Sequence, residues 1–206
     1  TKSSTWSMAL TDIITSKNYR GGESNMGRLK IVVGTITSDE ILAGHDLIIN
    51  PTNPQMVAGA GVSGSIFKKA GVDILESYTE REYGIYYFTD NYNEKNIMKV
   101  GDVRITPGFG LNMDIMFVQG PKAYDYENLD CAKRDLLDVY SKMIRVAHEK
   151  GYKNILCPSL GTGSYGFEHK NIAKDVIETI KNDIADVEIN VDLVLYNEEE
   201  LSYYEM

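Results

Sequence analysis

Short runs of Ile, Val and Leu, separated by stretches with helical periodicity, constrain this chain more than any other feature. Five segments read as buried strands: Leu29–Val33, Asp46–Asn50, Ile115–Gln119, Asn154–Cys157 and Val191–Tyr196, with a weaker sixth at Val103–Thr106. Between them, Leu129, Ala132, Leu136, Tyr140, Met143 and Ala147 recur every three or four residues up to Gly151, a residue suited to a helix C-terminus. Ile172, Val176, Ile177, Ile180 and Ile184 form a second stripe. A third runs from Ser63 through Ile66, Phe67 and Ala70, with a break at Gly71 and a resumption toward Arg81. Strands this apolar need cover on both faces, and alternation with helices supplies it. The expected fold is α/β: a three-layer α/β/α sandwich around a mixed, mostly parallel sheet of about six strands.

Length and charge narrow the function classes. At 206 residues and 43% hydrophobic, the chain suits one domain with one core. No apolar run is long enough to cross a bilayer, and the opening TKSSTWSMAL has neither a basic nor an apolar signal region. The expectation is a soluble, cytoplasmic protein without a membrane partner. With 21 basic against 30 acidic residues, a net of −9, binding to a nucleic-acid backbone is not expected. Cys131 and Cys157 make no disulfide framework, the three histidines form no zinc motif, and neither a metal nor a cofactor is expected.

Residues 1–27 stand apart as an extension packing on or flanking a domain at 28–206. Trp6, Leu10, Ile13 and Ile14 form a short helical stripe there, followed by a flexible-looking Tyr19-Arg20-Gly21-Gly22. Residues 79–100 carry Tyr83, Tyr86, Tyr87, Phe88 and Tyr92, a composition that suits a packed connection better than an aromatic rim beside a ligand.

The pattern G-x-G-x-x-G occurs twice, at Gly59-Ala60-Gly61-Val62-Ser63-Gly64 and at Gly161-Thr162-Gly163-Ser164-Tyr165-Gly166. Either alone is a weak signal. A dinucleotide fingerprint follows its strand at once, but here Asn50 and Gly59 are separated by a stretch stiffened by Pro51 and Pro54, and no acid stands at ribose-binding distance on a following strand. Both loops leave the carboxyl end of an expected strand and enter an expected helix. Parallel strands bring such loops to one rim, where backbone N–H groups can converge on an anion without basic side chains. Two such loops suit a diphosphate; the alternative is a pair of tight turns closing helices onto the sheet.

These residues resemble the macrodomain family. Asp46-Leu-Ile-Ile-Asn50-Pro51-Thr52-Asn53 with Gly59-Ala60-Gly61-Val62-Ser63-Gly64-Ser65-Ile66-Phe67 is similar to VDAIVNAAN…GGGGVDGAIH, and Pro158-Ser-Leu-Gly161-Thr162-Gly163-Ser164-Tyr165-Gly166-Phe167 is similar to PAISTGxYGFP. Val33–Thr37, Gly101–Gly108 and Gln119-Gly120-Pro121 match further family segments in order, so that the resemblance covers about residues 29–197. It implies binding of ADP-ribose or a mono-ADP-ribosylated protein, with Gly61–Ser65 and Gly161–Tyr165 bracketing the diphosphate and Gly59, Ala60, Val62, Ser63, Ser159, Thr162, Gly163, Ser164 and Gly166 among the expected ligand residues. Asn53 would reach the distal ribose, Tyr196 would stack on adenine, and Thr35, Ile36 and Asn50 are further expected ligand residues.

The departures bear on chemistry. The acid that reads the adenine amino group in the family is Thr35 here, the glycine triplet carries Ala60, and the histidine after the helix start is Phe67. Ser63 replaces the aspartate of the MacroD-type hydrolases, and an uncharged hydroxyl cannot act as that general base. A second branch pairs a lysine with an aspartate; Lys122 lies near the lysine's place, but Tyr165 occupies the aspartate's. The expectation is therefore a binder with weak hydrolase activity at most, and the alternative an ADP-ribosyl hydrolase in which Asn53 and substrate phosphate orient the water. Cys157 reads as a small buried hydrophobe, and His169 and the run Glu198-Glu199-Glu200 read as solvated surface.

Overall fold

A computed structural model of the chain describes residues 16–20, 27–85 and 96–204. Their seven strands, β1 (Ser16–Arg20), β2 (Arg28–Val33), β3 (Leu47–Pro51), β4 (Val103–Thr106), β5 (Asp114–Val118), β6 (Asn154–Pro158) and β7 (Asn190–Leu195), form one sheet in the order β1-β2-β7-β6-β3-β5-β4. All pairings between β2 and β5 are parallel, while the edge strands β1 and β4 pair antiparallel. The helices are α1 (Asp39–Leu42), α2 (Gly61–Ala70), α3 (Val72–Tyr83), α4 (Leu129–Lys150), α5 (His169–Asp183) and α6 (Glu198–Leu201).

The strand side chains alternate between two cores. Leu47 and Ile49 pack with Leu136, Tyr140 and Met143 of α4 and Val176 of α5, whereas Ile48 packs with Ile66 and Phe67 of α2 and Leu75 of α3. Two cores on opposite faces of one sheet make the expected three layers. The break between the second-layer helices falls at Gly71, whose φ of +100° a side-chain-bearing residue rarely adopts.

The sheet departs from expectation at its edge. Tyr19 and Arg20, read from sequence as flexible, belong to β1, which hydrogen-bonds along the outer side of β2 from Ser16↔Val32 to Arg20↔Arg28. An uncovered β2 would leave a row of unpaired backbone groups at the edge, and this short strand occupies them. The Trp6 to Ile14 stripe, Gly21, Gly22 and the tyrosine-rich stretch from 86 to 95 lie outside the described residues. Tyr83, at the end of α3, is a packing residue: its hydroxyl donates to the Ile105 carbonyl at 2.6 Å, and Arg104 lies 5.0 Å from its ring centre.

Because β2, β7, β6, β3 and β5 run the same way, their carboxyl ends share one rim. The segments that follow them there are Gly34–Ile36, Tyr196, the 159–168 loop, the 52–60 loop and Gln119.

Candidate functional site

A cavity of about 520 Å³ opens on this rim between the two glycine loops. One wall is Asn53, Gly59, Ala60, Gly61, Val62 and Ser63; the other is Ser159, Gly161, Thr162, Gly163, Ser164 and Tyr165. A smaller cavity of about 320 Å³ adjoins it, lined by Thr35 and Ile36 and sharing Gly61, Val62, Pro158, Val194 and Tyr196 with the first. Both volumes suit a nucleotide-sized ligand.

Each loop is held from behind and left open in front. In the first, the Asn53 side chain closes a turn by donating to the Val57 carbonyl at 2.8 Å and accepting the Val57 N–H at 3.2 Å. Gly64 then lets the helix press on the loop, since a Cβ there would stand 2.3 Å from the Gly59 carbonyl oxygen. The first-turn N–H groups of α2 begin at Gly61 and have no partner within the helix. In the second loop, Tyr140, fully buried on α4, accepts the Leu160 N–H at 2.7 Å, and Thr162 turns its hydroxyl back to the Ser159 carbonyl. Gly161 adopts a φ of +79° with its α-carbon against the Phe167 ring, whereas a Cβ on Gly163 would meet open space. The N–H groups of Gly163, Ser164 and Tyr165 donate to no acceptor among the described residues. Between the two loops, backbone dipoles face the cavity, a potential that favours an anion.

Below the loops the floor is polar and incompletely paired. Tyr165 donates its hydroxyl to the Thr52 carbonyl at 3.0 Å and accepts from Gln119 Nε2 at 3.1 Å. Ser63 is 7% exposed, and its Oγ, both amide atoms of Asn50, and Gln119 Oε1 have no hydrogen-bond partner among the described residues.

Two of the expected ligand residues do not line either cavity. Asn50 is fully buried and, by strand alternation, shares the α2 face with Ile48, beneath the floor. Gly166 turns away, so that a Cβ there would touch the Tyr124 ring at 3.4 Å. Thr35, Ile36, Asn53, Gly59, Ala60, Gly61, Val62, Ser63, Ser159, Gly161, Thr162, Gly163, Ser164, Tyr165 and Tyr196 do line them. Tyr196 is 74% exposed and borders both cavities, a position open to stacking.

The candidate catalytic groups remain incomplete in space as in sequence. Phe67 is fully buried edge-on against Phe117 at 5.8 Å, so its position is apolar. The Lys122 ammonium stands over the Tyr165 ring at 5.7 Å and the Tyr124 ring at 5.9 Å. Burial pushes the Cys157 thiol far above its ordinary range, which removes it as a nucleophile. No group of three or more His, Cys, Asp or Glu able to hold a metal occurs among the described residues.

Two residues that sequence reasoning places on the solvated surface line the larger cavity: His169, the first residue of α5, and Glu200 of α6. His169 Nδ1 meets the Tyr204 hydroxyl at 3.0 Å, and its ring lies parallel to Tyr203. Burial holds its imidazole below the ordinary value, against the opposing pull of Glu200. A lone histidine and a run of three acids carry no periodic signal that distinguishes them from solvated residues.

Comparison with known proteins agrees with this geometry. The sequence profile of the Macro domain matches residues 49–176. An O-acetyl-ADP-ribose deacetylase of Enterobacter sp. (strain 638) is 29% identical over 182 residues, covering 86% of this chain and 92% of the relative. A Macro domain-containing protein of Listeria monocytogenes is 30% identical over 180 residues, covering 85% and 94%. Among solved structures, the Oceanobacillus iheyensis macrodomain with ADP superposes with a TM-score of 0.75 at 28% identity, covering 93% of each chain. The profile match spans more than half of the chain across both glycine loops, and the chain belongs to the Macro domain family.

Proposed function

We propose that the cleft binds ADP-ribose, free or as a mono-ADP-ribosyl group on a protein. The observation that carries this reading is the pair of glycine loops, which line opposite walls of one cavity and carry N–H groups without acceptors among the described residues, with a second cavity beside it. The diphosphate lies between Gly61–Ser63 and Gly163–Tyr165, the adenine enters the smaller cavity between Ile36 and Tyr196, and the distal ribose reaches Asn53. Similarity to the Oceanobacillus macrodomain with ADP supports a nucleoside diphosphate as the ligand class. Titration calorimetry tests it: ADP-ribose should bind in preference to ATP, NAD or RNA, and no heat or thermal shift at millimolar ADP-ribose overturns it.

A second reading, hydrolysis of an ADP-ribosyl or O-acetyl ester, is favoured by the deacetylase relative. In this cleft, substrate phosphate, Asn53 and loop backbone would position the water, a contribution that needs no protein base. With Ser63 where the MacroD-type hydrolases hold an aspartate, turnover of a mono-ADP-ribosylated carboxylate should be slow by mass spectrometry. Ser63→Asp should raise it by roughly 10²–10⁴-fold if water access is already right. Brisk wild-type hydrolysis that survives Asn53→Ala contradicts this account.

A further inference from the structure

Among the described residues lining the two cavities, Glu200 is the only aspartate or glutamate. A carboxylate in a cleft built for an anion costs affinity unless it has a donor to meet. Glu200 is also held in place. Its Oε2 accepts the Tyr196 N–H at 3.2 Å, its Oε1 accepts from Asn197 Nδ2 at 3.3 Å, and its side chain is 21% exposed. His169 Nε2 stands 3.6 Å from Oε1, with His169 in turn backed by Tyr204 and, through it, by Ser159 Oγ at 2.7 Å. Burial holds the imidazole below its ordinary value, against the opposing pull of Glu200.

The position of the acid says what it meets. Glu200 borders the larger cavity together with Tyr196, Val194 and Pro158, which are also residues shared with the smaller one. With the base in the smaller cavity and the diphosphate between the loops, the nucleotide part that crosses this junction is the ribose next to adenine. A carboxylate oxygen has two lone-pair directions, so Oε2 of Glu200, which takes only the Tyr196 N–H, keeps capacity for a further donor. Ribose hydroxyls are the donors at hand, and an added phosphate is what such a charge repels.

We propose that Glu200 accepts a hydrogen bond from the adenosine ribose and makes this cleft selective for nucleotides with free ribose hydroxyls over those phosphorylated at the 2′ position. The inference rests on the ADP-ribose reading above. Calorimetry on the full chain with ADP-ribose, its adenosine 2′-deoxy analogue and its adenosine 2′-phosphate tests it. Wild type should bind the deoxy analogue about tenfold more weakly than ADP-ribose, the usual worth of a hydrogen bond to a charged group, and the 2′-phosphate more weakly still. Glu200→Gln and Glu200→Ala should shrink both gaps to within about threefold while ADP-ribose still binds. Equal wild-type affinity for all three ligands overturns the inference and leaves the ADP-ribose reading intact, as do unchanged gaps in both variants. Absence of ADP-ribose binding by wild type overturns the underlying reading as well. If a thermal melt shows that a variant has lost its fold, the wild-type series decides by itself.

Discussion

At the amino ends of the parallel strands, Asp46 accepts the backbone N–H groups of Lys153 and Asn154 at 2.8 and 2.9 Å, Tyr152 donates to Asp114 at 2.6 Å, and Asn190 donates to Asn154 at 2.9 Å. At the carboxyl ends, Asn50, Ser63 and Gln119 keep buried polar atoms without partners, and the Gly163, Ser164 and Tyr165 N–H groups have no acceptor among the described residues. One end of the sheet is cross-linked by side chains from strand to strand; the other is linked through Tyr165 to Thr52 and Gln119 but leaves further buried polar atoms unpaired. A buried polar group left unpaired costs about 1–3 kcal/mol, so a cluster of them at one rim marks where stability is given up for a ligand. His45 Nδ1 is the one exception among the described residues.

The largest expected effect breaks the ligand rim alone. Gly163→Glu points a carboxylate into space that is open in the structure, so the fold should persist with an unchanged melting temperature. Like charges at a phosphate site cost several kcal/mol, and ADP-ribose affinity should fall more than about a hundredfold. Retained affinity would place the ligand elsewhere.

Asp46→Ala is the mirror experiment at the linked rim. It removes two charge-assisted bonds to backbone N–H groups, and denaturant unfolding should show a loss of about 2–3 kcal/mol. ADP-ribose affinity should stay within about twofold, because the change lies at the other end of β3 from the cleft. A loss of affinity comparable with that of the first variant would show that the two rims are energetically one.

The two ends are unequally legible in the amino-acid sequence. The strand cores are readable because Ile, Val and Leu runs between helical stripes admit few arrangements, and the loops because glycine pairs at strand ends have few uses. Asn50 reads as a ligand residue, but its place one step from Ile49 in the strand turns it onto the α2 face and out of the cleft. Glu200 is hidden for the opposite reason: within Glu198-Glu199-Glu200 nothing local separates the acid that faces the cleft from its exposed neighbours. Strand β1 offers too little apolar pattern, since an edge strand is chosen by the backbone groups it covers.

Acid probes the linked part of the sheet in another way. Asp192 sits in mid-sheet on β7, where burial by itself would raise its carboxyl, but the hydrogen bond from His45 and the charges of Arg28, His45 and Lys30 outweigh that and hold it below its ordinary 3.8. A carboxyl depressed in the folded state stabilises above its unfolded value and loses that contribution as pH falls through the lower folded value. Wild type should therefore lose stability steeply below about pH 4, and Asp192→Asn should show a shallower acid limb from a lower plateau. Identical acid limbs would mean that this ion-paired network does not report on the linked part of the sheet.

At the cleft, Tyr196→Ala should weaken ADP-ribose by about 1–3 kcal/mol, the worth of stacking a base on an aromatic ring, while Tyr196→Phe should cost little. An exposed ring contributes little to the core, so neither change should move the melting temperature by more than a degree or two. Unchanged affinity in the alanine variant would remove Tyr196 as the adenine platform.

The smallest expected effect bears most directly on the unpaired groups. Asn50 is fully buried with both amide atoms unpartnered, and leucine keeps its branching at Cγ while removing both polar atoms. If those atoms are a cost borne by the fold, Asn50→Leu should raise unfolding stability by about 1 kcal/mol, reduced by whatever strain the slightly larger side chain introduces. The same change should weaken ADP-ribose by a few-fold at most, because Asn50 is fully buried and lines neither cavity. Asn50→Asp is the control: a carboxylate buried there without a partner should destabilise by several kcal/mol. A leucine variant less stable than wild type, beside an aspartate variant that folds normally, would show that solvent reaches Asn50 and satisfies it. The contrast between the two rims would then lie in their hydration and not in unpaired protein groups.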